Sequence, residues 1–138
     1  MNYDDQNIFA KILRGEIPCT KVYEDDKTLA FIDIMPQADG HTLVIPKEPA
    51  ITLMDLSPES AAYTINIVQK VGSAIQTALG AEGIVLMQLN GSKAGQTVPH
   101  IHFHLIPSSI HELGKHAAQM GDMDKIKQVA EKIRAELI

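Results

Sequence analysis

His100, His102 and His104 occupy alternate positions, and Val98, Ile101, Phe103 and Leu105 around them are apolar. That is the period-2 pattern of a half-buried strand, so the three imidazoles are expected on one face, about 6.6–6.8 Å apart in succession. At that spacing neighbouring rings can share one small group. Three readings are open on the residue types alone. A histidine row can be a solvated strand face. Alternate histidines can supply two ligands to zinc or iron, with a third from elsewhere and one position left for water. Or the rings can hold a phosphoryl group while one attacks it, since a neutral imidazole has a reference pKa of about 6.5. His102, flanked on both sides, is the best placed nucleophile.

A second apolar run, Gly83 to Asn90, reaches the histidines through Gly91-Ser92-Lys93-Ala94-Gly95-Gln96-Thr97. The pair reads as a hairpin with a polar mouth. Glycines there let backbone N–H groups approach an anion, and Asn90, Ser92, Gln96 and Thr97 add amide or hydroxyl donors.

The elements that must position these groups are legible in turn. Asn7 can cap a helix from Ile8 to about Arg14, with Ile8, Phe9 and Ile12 inward and Gly15 ending it. Lys21–Glu24 and Thr28–Asp33 read as a hairpin around Asp25-Asp26-Lys27, and His41–Lys47 as a third strand. A short helical turn is expected between Ala50 and Leu56. Ser57-Pro58-Glu59 starts a long helix, along which Ala61, Ile65, Val68, Val71, Ile75 and Leu79 recur until Gly80. Asp122 can cap a last helix with Ile126, Val129, Ala130, Ile133 and Leu137 on one side. The stretch after Pro107 is assigned to no element, and His111 and His116 are read as surface residues. On residue types alone Asp33 is a turn starter and His41 a surface histidine.

The chain of 138 residues is 45% hydrophobic, which predicts one globular domain spanning 1–138. No apolar run approaches the roughly 18 residues of a membrane span, and the acidic opening Met1-Asn2-Tyr3-Asp4-Asp5 lacks the basic region of a signal peptide. With the single Cys19, these features lead us to expect a cytoplasmic protein. A net charge of −5 leaves no electrostatic footprint for a nucleic-acid polymer, although local N–H groups and imidazoles can still hold a small nucleotide.

His100-Ile101-His102-Phe103-His104-Leu105-Ile106 resembles the His-x-His-x-His-x-x signature of the histidine triad family of nucleotide hydrolases and transferases. Ile8–Ile12, Gly15–Pro18, Val22–Asp25, Ala30–Ile34, Pro36-Gln37 and Gly40–Lys47 follow, in order, the nucleotide-binding branch of that family, and the resemblance covers about residues 6–110. It implies an α+β fold with an antiparallel sheet of about five strands, one long helix and a peripheral C-terminal helix. It also implies a homodimer and cleavage of a purine nucleoside monophosphate from its substituent. Phosphoramidates are the first choice of substrate; dinucleoside polyphosphates, nucleotidyl transfer and a nucleotide-responsive scaffold with little turnover are the alternatives.

By the same resemblance His102 forms a nucleotidyl-histidine intermediate, its other ring nitrogen held by the His100 carbonyl. His104 and His41 neutralise developing charge and, with Thr97, help protonate the leaving amine. Asn90 and the backbone of Gly95, Gln96 and Thr97 cradle the phosphate, Asp33 binds the ribose hydroxyls, and Phe9, Ile12, Phe31, Ile34 and Leu43 form the base pocket. Relatives with a structural zinc carry Cys-x-x-Cys and a further His where this chain has Asn7, Ala10 and Pro49. Only His100 remains of that set, so no metal and no cofactor are expected. The C-terminal segment departs from the better-known members, whose tails help shape substrate choice.

Overall fold

A computed structural model of the protein describes residues 2–113 and 120–137. His111 is exposed, as expected, and His116 lies outside the described residues. The elements are α1 (Ile8–Leu13), β1 (Lys21–Glu24), β2 (Thr28–Ile32), β3 (Thr42–Pro46), α2 (Pro58–Leu79), β4 (Val85–Met87), β5 (Phe103–Ile106) and α3 (Met123–Ala135), with a 3₁₀ turn at Ser92–Ala94. All strand pairs are antiparallel, in the order β1-β2-β3-β5-β4. The architecture is the α+β arrangement expected of the sequence.

The sheet has two working faces. Ala30, Ile32, Val44, Phe103 and Leu105 face α2 and α3 in the principal core, whereas Leu29, Phe31, Leu43 and Ile45 pack with Phe9 and Ile12 of α1 on the other side. Both sides of β2 and β3 are therefore buried, which is why these strands are continuous apolar runs. Each fully buried Leu, Ile, Val or Phe among them contributes about 1.5–3 kcal/mol relative to exposure.

Helix α2 starts with the Ser57 hydroxyl accepting the Ser60 N–H and Pro58 in the first turn, and ends on left-handed Gly80. Its buried line runs through Thr64, Ile67, Val68, Val71, Ala74 and Ile75, while Ile65 is exposed. Of the expected stripe, Val68, Val71 and Ile75 are in the principal core and Ala61 and Leu79 pack against it, so only Ile65 departs from the expectation. The buried line includes small residues that let α2 approach both α3 and the sheet. Helix α3, expected at the periphery, lies beside α2 and delivers Ile126, Val129, Ala130 and Ile133 to the principal core.

Two local expectations change. Ile8 is exposed: once Phe9 and Ala10 turn to the sheet, a residue about 100° away along α1 points outward. Between Ala50 and Leu56 there is no helix. The Asp55 carboxylate accepts the N–H groups of Ile51 and Thr52 at 2.8 and 2.7 Å, which holds a loop.

Strand register sets the site. Ile32 pairs with Thr42 and Leu43 with His104. Asp33 and His41 therefore meet just beyond the β2–β3 ladder, where the Asp33 N–H donates to the His41 carbonyl at 2.9 Å. His41 lies diagonally from His104 on the face of Phe31 and Leu43. Gly40, at φ +85°, turns the chain into His41, and a Cβ there would overlap the Leu79 side chain at the end of α2.

Candidate active site

The site is built where β5 begins. The expected histidine strand is shorter than its sequence pattern: the ladder starts at Phe103, and His100 to His102 precede it. Pro99 brings no N–H to a ladder, and the Ile101 N–H donates at 2.9 Å to Ala50 in the neighbouring loop. Consequently the three rings do not form one exposed row. His100 is fully buried, its Nε2 2.8 Å from the Pro46 carbonyl and its Nδ1 2.6 Å from the Tyr3 hydroxyl. Its ring is not free to touch a phosphate, and what it offers its neighbour is its main-chain carbonyl.

That carbonyl lies 2.7 Å from His102 Nδ1. A carbonyl only accepts, so Nδ1 carries the proton and His102 Nε2 keeps its lone pair. The His102 ring packs edge-on to Phe9, centroids 4.8 Å apart, and lies 4.9 Å from the ring of His104.

The same logic orders the second pair. The Gln37 backbone N–H donates to His41 Nδ1 at 3.0 Å, so the proton of neutral His41 is on Nε2. That nitrogen is 2.9 Å from His104 Nδ1, which must accept, leaving the His104 proton on Nε2. Asp33 Oδ2 stands 3.6 Å from His41 Nε2, and Asp33 Oδ1 accepts the Met35 N–H at 2.9 Å. Burial keeps all four rings neutral. It lowers His41 to about 4, helped by the nearby His102, and His104 to about 3, helped by His102 and His41. It also lowers His102 and His100, against the pull of the carbonyls they bond. Burial raises the Asp33 carboxyl, opposed by the Met35 N–H.

Asp33, His41 and His104 lie close enough to suggest a two-histidine, one-carboxylate metal centre. The hydrogen bonds contradict that use. To ligate through Nε2, neutral His41 would have to protonate Nδ1, where the Gln37 N–H already points. The zinc set of the relatives fits no better. Asn7 is the cap of α1, with its Oδ1 2.9 Å from the Ala10 N–H, and both ring nitrogens of His100 are engaged.

Several of the groups expected to cradle a phosphate are hydrogen-bonded within the protein. The N–H groups of Gly95 and Gln96 donate to the carbonyls of Ser92 and Gly91, because the loop closes on its own 3₁₀ turn. The Gln96 side chain is consumed as well, accepting the Gly91 N–H and donating to Ile51 and Val98 carbonyls. Asn90 accepts from the Leu53 N–H and pairs its amide with Gln88. These three residues strap the loops around the histidines. Thr97 is exposed, and no hydrogen bond among the described residues reaches it.

Of the base-pocket residues, Phe9, Ile12, Phe31 and Leu43 share one cluster, but Phe9, Phe31 and Leu43 are buried against one another. A planar ligand would meet only the rim of that cluster. Ile34 is exposed and outside it. Sequence reasoning missed the Gln37 N–H and the Pro46 carbonyl, which as backbone groups leave no residue-type signal, and Tyr3, which stands 97 positions from its partner.

Comparison with known proteins agrees with this architecture. The HIT domain model matches residues 14–111. Over 107 residues the chain is 48% identical to adenosine 5′-monophosphoramidase hnt1 of Schizosaccharomyces pombe, covering 78% of this chain and 77% of that one. It is 42% identical over 100 residues to adenylylsulfatase HINT3 of Arabidopsis thaliana, covering 72% of this chain and 51% of that one. A crystal structure of a Hit-like protein involved in cell-cycle regulation from Bartonella henselae superposes with a TM-score of 0.87 at 45% identity, covering 99% of this chain and 100% of that one. A histidine pair at the mouth of an antiparallel sheet, a third histidine buried beneath it and a matching domain model agree: the chain belongs to the HIT domain, or histidine triad, family.

Proposed function

We propose that the protein hydrolyses purine nucleoside phosphoramidates through a nucleotidyl-histidine intermediate on His102. The observation that carries this reading is the tautomer of His102. With Nδ1–H held by the His100 carbonyl at 2.7 Å, the unprotonated Nε2 is the atom available to attack. The names of the S. pombe and A. thaliana relatives, a monophosphoramidase and an adenylylsulfatase, support a nucleoside monophosphate as the transferred group.

In this mechanism His102 Nε2 forms a bond to phosphorus as the phosphorus–nitrogen bond of the substrate breaks. The electron pair goes to the leaving nitrogen, which takes a proton from the solvent side near the exposed Thr97 hydroxyl and departs as an amine. His104 Nε2–H, oriented by His41, donates to a phosphoryl oxygen as charge develops there. Water then attacks phosphorus, the pair returns to His102 Nε2, and the proton of the water passes to solvent. Asp33, on the same face, accepts from the ribose hydroxyls, and the base lies on the rim formed by Ile12 beside Phe9.

The protein is also read as a cytoplasmic homodimer of a single HIT domain. Among the described residues no helix is long and apolar enough to cross a membrane, and the lone Cys19 suits a reducing compartment. Ile65 on α2 and Leu86 on edge strand β4 are exposed apolar side chains that a second copy would cover. Sedimentation at low micromolar concentration is expected to give twice the 15.1 kDa of one chain, and a monomer mass overturns this part of the reading.

The test of the activity is hydrolysis of adenosine 5′-phosphoramidate with and without chelator, run beside binding of adenosine monophosphate. Turnover that persists in chelator is the expected result. Binding without turnover would make the protein a nucleotide-responsive scaffold instead, and loss of turnover in chelator would return the metal reading.

A further inference from the structure

The segment before α1 belongs to no strand or helix, yet it is firmly placed. The Asn7 N–H and side-chain amide both donate to the Asp4 carbonyl, at 3.3 and 2.8 Å, and Arg14 donates to the Asp5 carbonyl at 2.7 Å. These bonds carry Tyr3, half-buried, over the fully buried ring of His100. The rings meet edge to face at 5.6 Å, and the phenol oxygen lies 2.6 Å from Nδ1. On the opposite side of the ring, Nε2 faces the Pro46 carbonyl at 2.8 Å. That carbonyl accepts, so neutral His100 has its proton on Nε2 and its Nδ1 must accept the Tyr3 O–H.

We propose that Tyr3 is a positioning residue for the reaction. Its hydroxyl, by filling the second ring nitrogen of His100, fixes that residue so that its carbonyl holds His102 in the Nδ1–H tautomer. The two bonds belong to one residue: ring and carbonyl of His100 are joined through its Cα, and the ring is clamped between Tyr3 and Pro46. Remove the hydroxyl and a buried acceptor is left without a donor. The ring then relieves this by turning or by changing tautomer, and either response releases the Pro46 clamp and tilts the carbonyl away from His102. The half-buried phenol keeps its proton across the working pH range, since burial raises its pKa. The Tyr3 ring and hydroxyl meet His100, and Tyr3 acts on His102 through that residue.

This inference rests on the proposed role of His102, but one readout does not. Tyr3→Phe keeps the edge-to-face packing and deletes only the hydroxyl. In wild type, ring-nitrogen NMR is expected to show His102 as a single Nδ1–H tautomer and His100 as Nε2–H. In Tyr3→Phe both should move toward mixed tautomers while the thermal midpoint of unfolding shows that the chain still folds. For adenosine 5′-phosphoramidate, kcat should fall on the order of tenfold or more, with KM and adenosine monophosphate affinity within about twofold of wild type. Tyr3→Ala, which also removes the ring, should lose stability beyond Tyr3→Phe but add little further loss in kcat. Unchanged ring-nitrogen signals in Tyr3→Phe, or a kcat within about twofold of wild type, would reduce Tyr3 to a packing residue. If wild type shows the expected tautomers and no turnover, the hydrolase reading fails while the Tyr3 clamp stands.

Discussion

The Gln37 backbone N–H points at His41 Nδ1 from 3.0 Å, and that bond decides what His41 can be. A ring accepting there is a donor at Nε2, so the nitrogen 2.9 Å from His104 hands on a hydrogen bond and is not a ligand. One main-chain amide thus separates a hydrogen-bonded histidine pair from a metal centre with the same residues.

Removing that amide should reverse the choice. Gln37→Pro deletes the N–H. The variant is expected to bind zinc through Asp33, His41 and His104, seen by calorimetry and as zinc inhibition of turnover. Gln37→Ala, which keeps the N–H, should gain no zinc affinity over wild type. Equal zinc affinity in all three proteins would mean that the N–H does not control the tautomer.

Acid should weaken the fold through its buried imidazoles, while the Asp33 carboxyl, raised by burial, acts in the opposite sense. His41 and His104 are lowered from 6.5 to about 4 and about 3, so between those values and 6.5 the unfolded chain binds more protons than the folded one. Stability therefore rises with pH through this window, is lost as pH falls from about 6.5 toward 3, and is unaffected by these groups above it. Each ring accounts for a loss on the order of a few kcal/mol. Asp25, lowered mainly by hydrogen bonds from Tyr63, Lys27, Thr28 and Tyr23 against the opposing effect of burial, acts in the same sense below 3.8. Denaturant midpoints measured from pH 7 down to pH 4 check this, and a double variant with both histidines replaced by glutamine should show a shallower decline. A midpoint that is flat over that range would show that the rings are not held neutral by burial.

What could be read from the chain was what period and punctuation encode. Ser57-Pro58 and Gly80 bracket α2, Asn7 and Asp122 cap α1 and α3, and the apolar runs of β2 and β3 mark strands buried on both faces. What could not be read was decided by backbone partners far away. His-x-His-x-His alternates beyond the ladder, so the pattern places His100 in a row while its peptide has already left the sheet at Phe103. Gly95 and Gln96 look like anion donors by type, yet a 3₁₀ turn spends their N–H groups internally. Asp33 and His41, a turn residue and a surface histidine by composition, become neighbours only through the register of Ile32 with Thr42.

The Asp33 carboxylate gives the sugar prediction. Its Oδ1 holds the Met35 N–H, while Oδ2 lies near His41 and faces the same side as His104. A 2′-deoxy substrate should lose about 1–3 kcal/mol in kcat/KM through an unpaired charged acceptor. Asp33→Asn should remove most of that discrimination. Equal kcat/KM for ribo and deoxy substrates in wild type would return Asp33 to a turn residue.

The decisive prediction concerns His102. Its Nε2 lone pair is fixed by the 2.7 Å bond from Nδ1–H to the His100 carbonyl, and its ring stands between Phe9 and His104 without bonding either. His102→Ala should abolish turnover by several orders of magnitude yet leave nucleotide affinity within a few-fold, the pattern of a lost covalent step in a preformed site. His102→Gly opens a cavity beside Phe9 in which added imidazole should restore part of the rate. In wild type, rapid quenching with an α-labelled substrate should trap acid-labile label on His102, released in the second step by water. His104→Ala, by contrast, should slow formation of that adduct without moving the label to another residue. Label on His41 or His104 would move the nucleophile to that ring, and near-normal turnover in His102→Ala with no label on any histidine would make direct attack by water the mechanism.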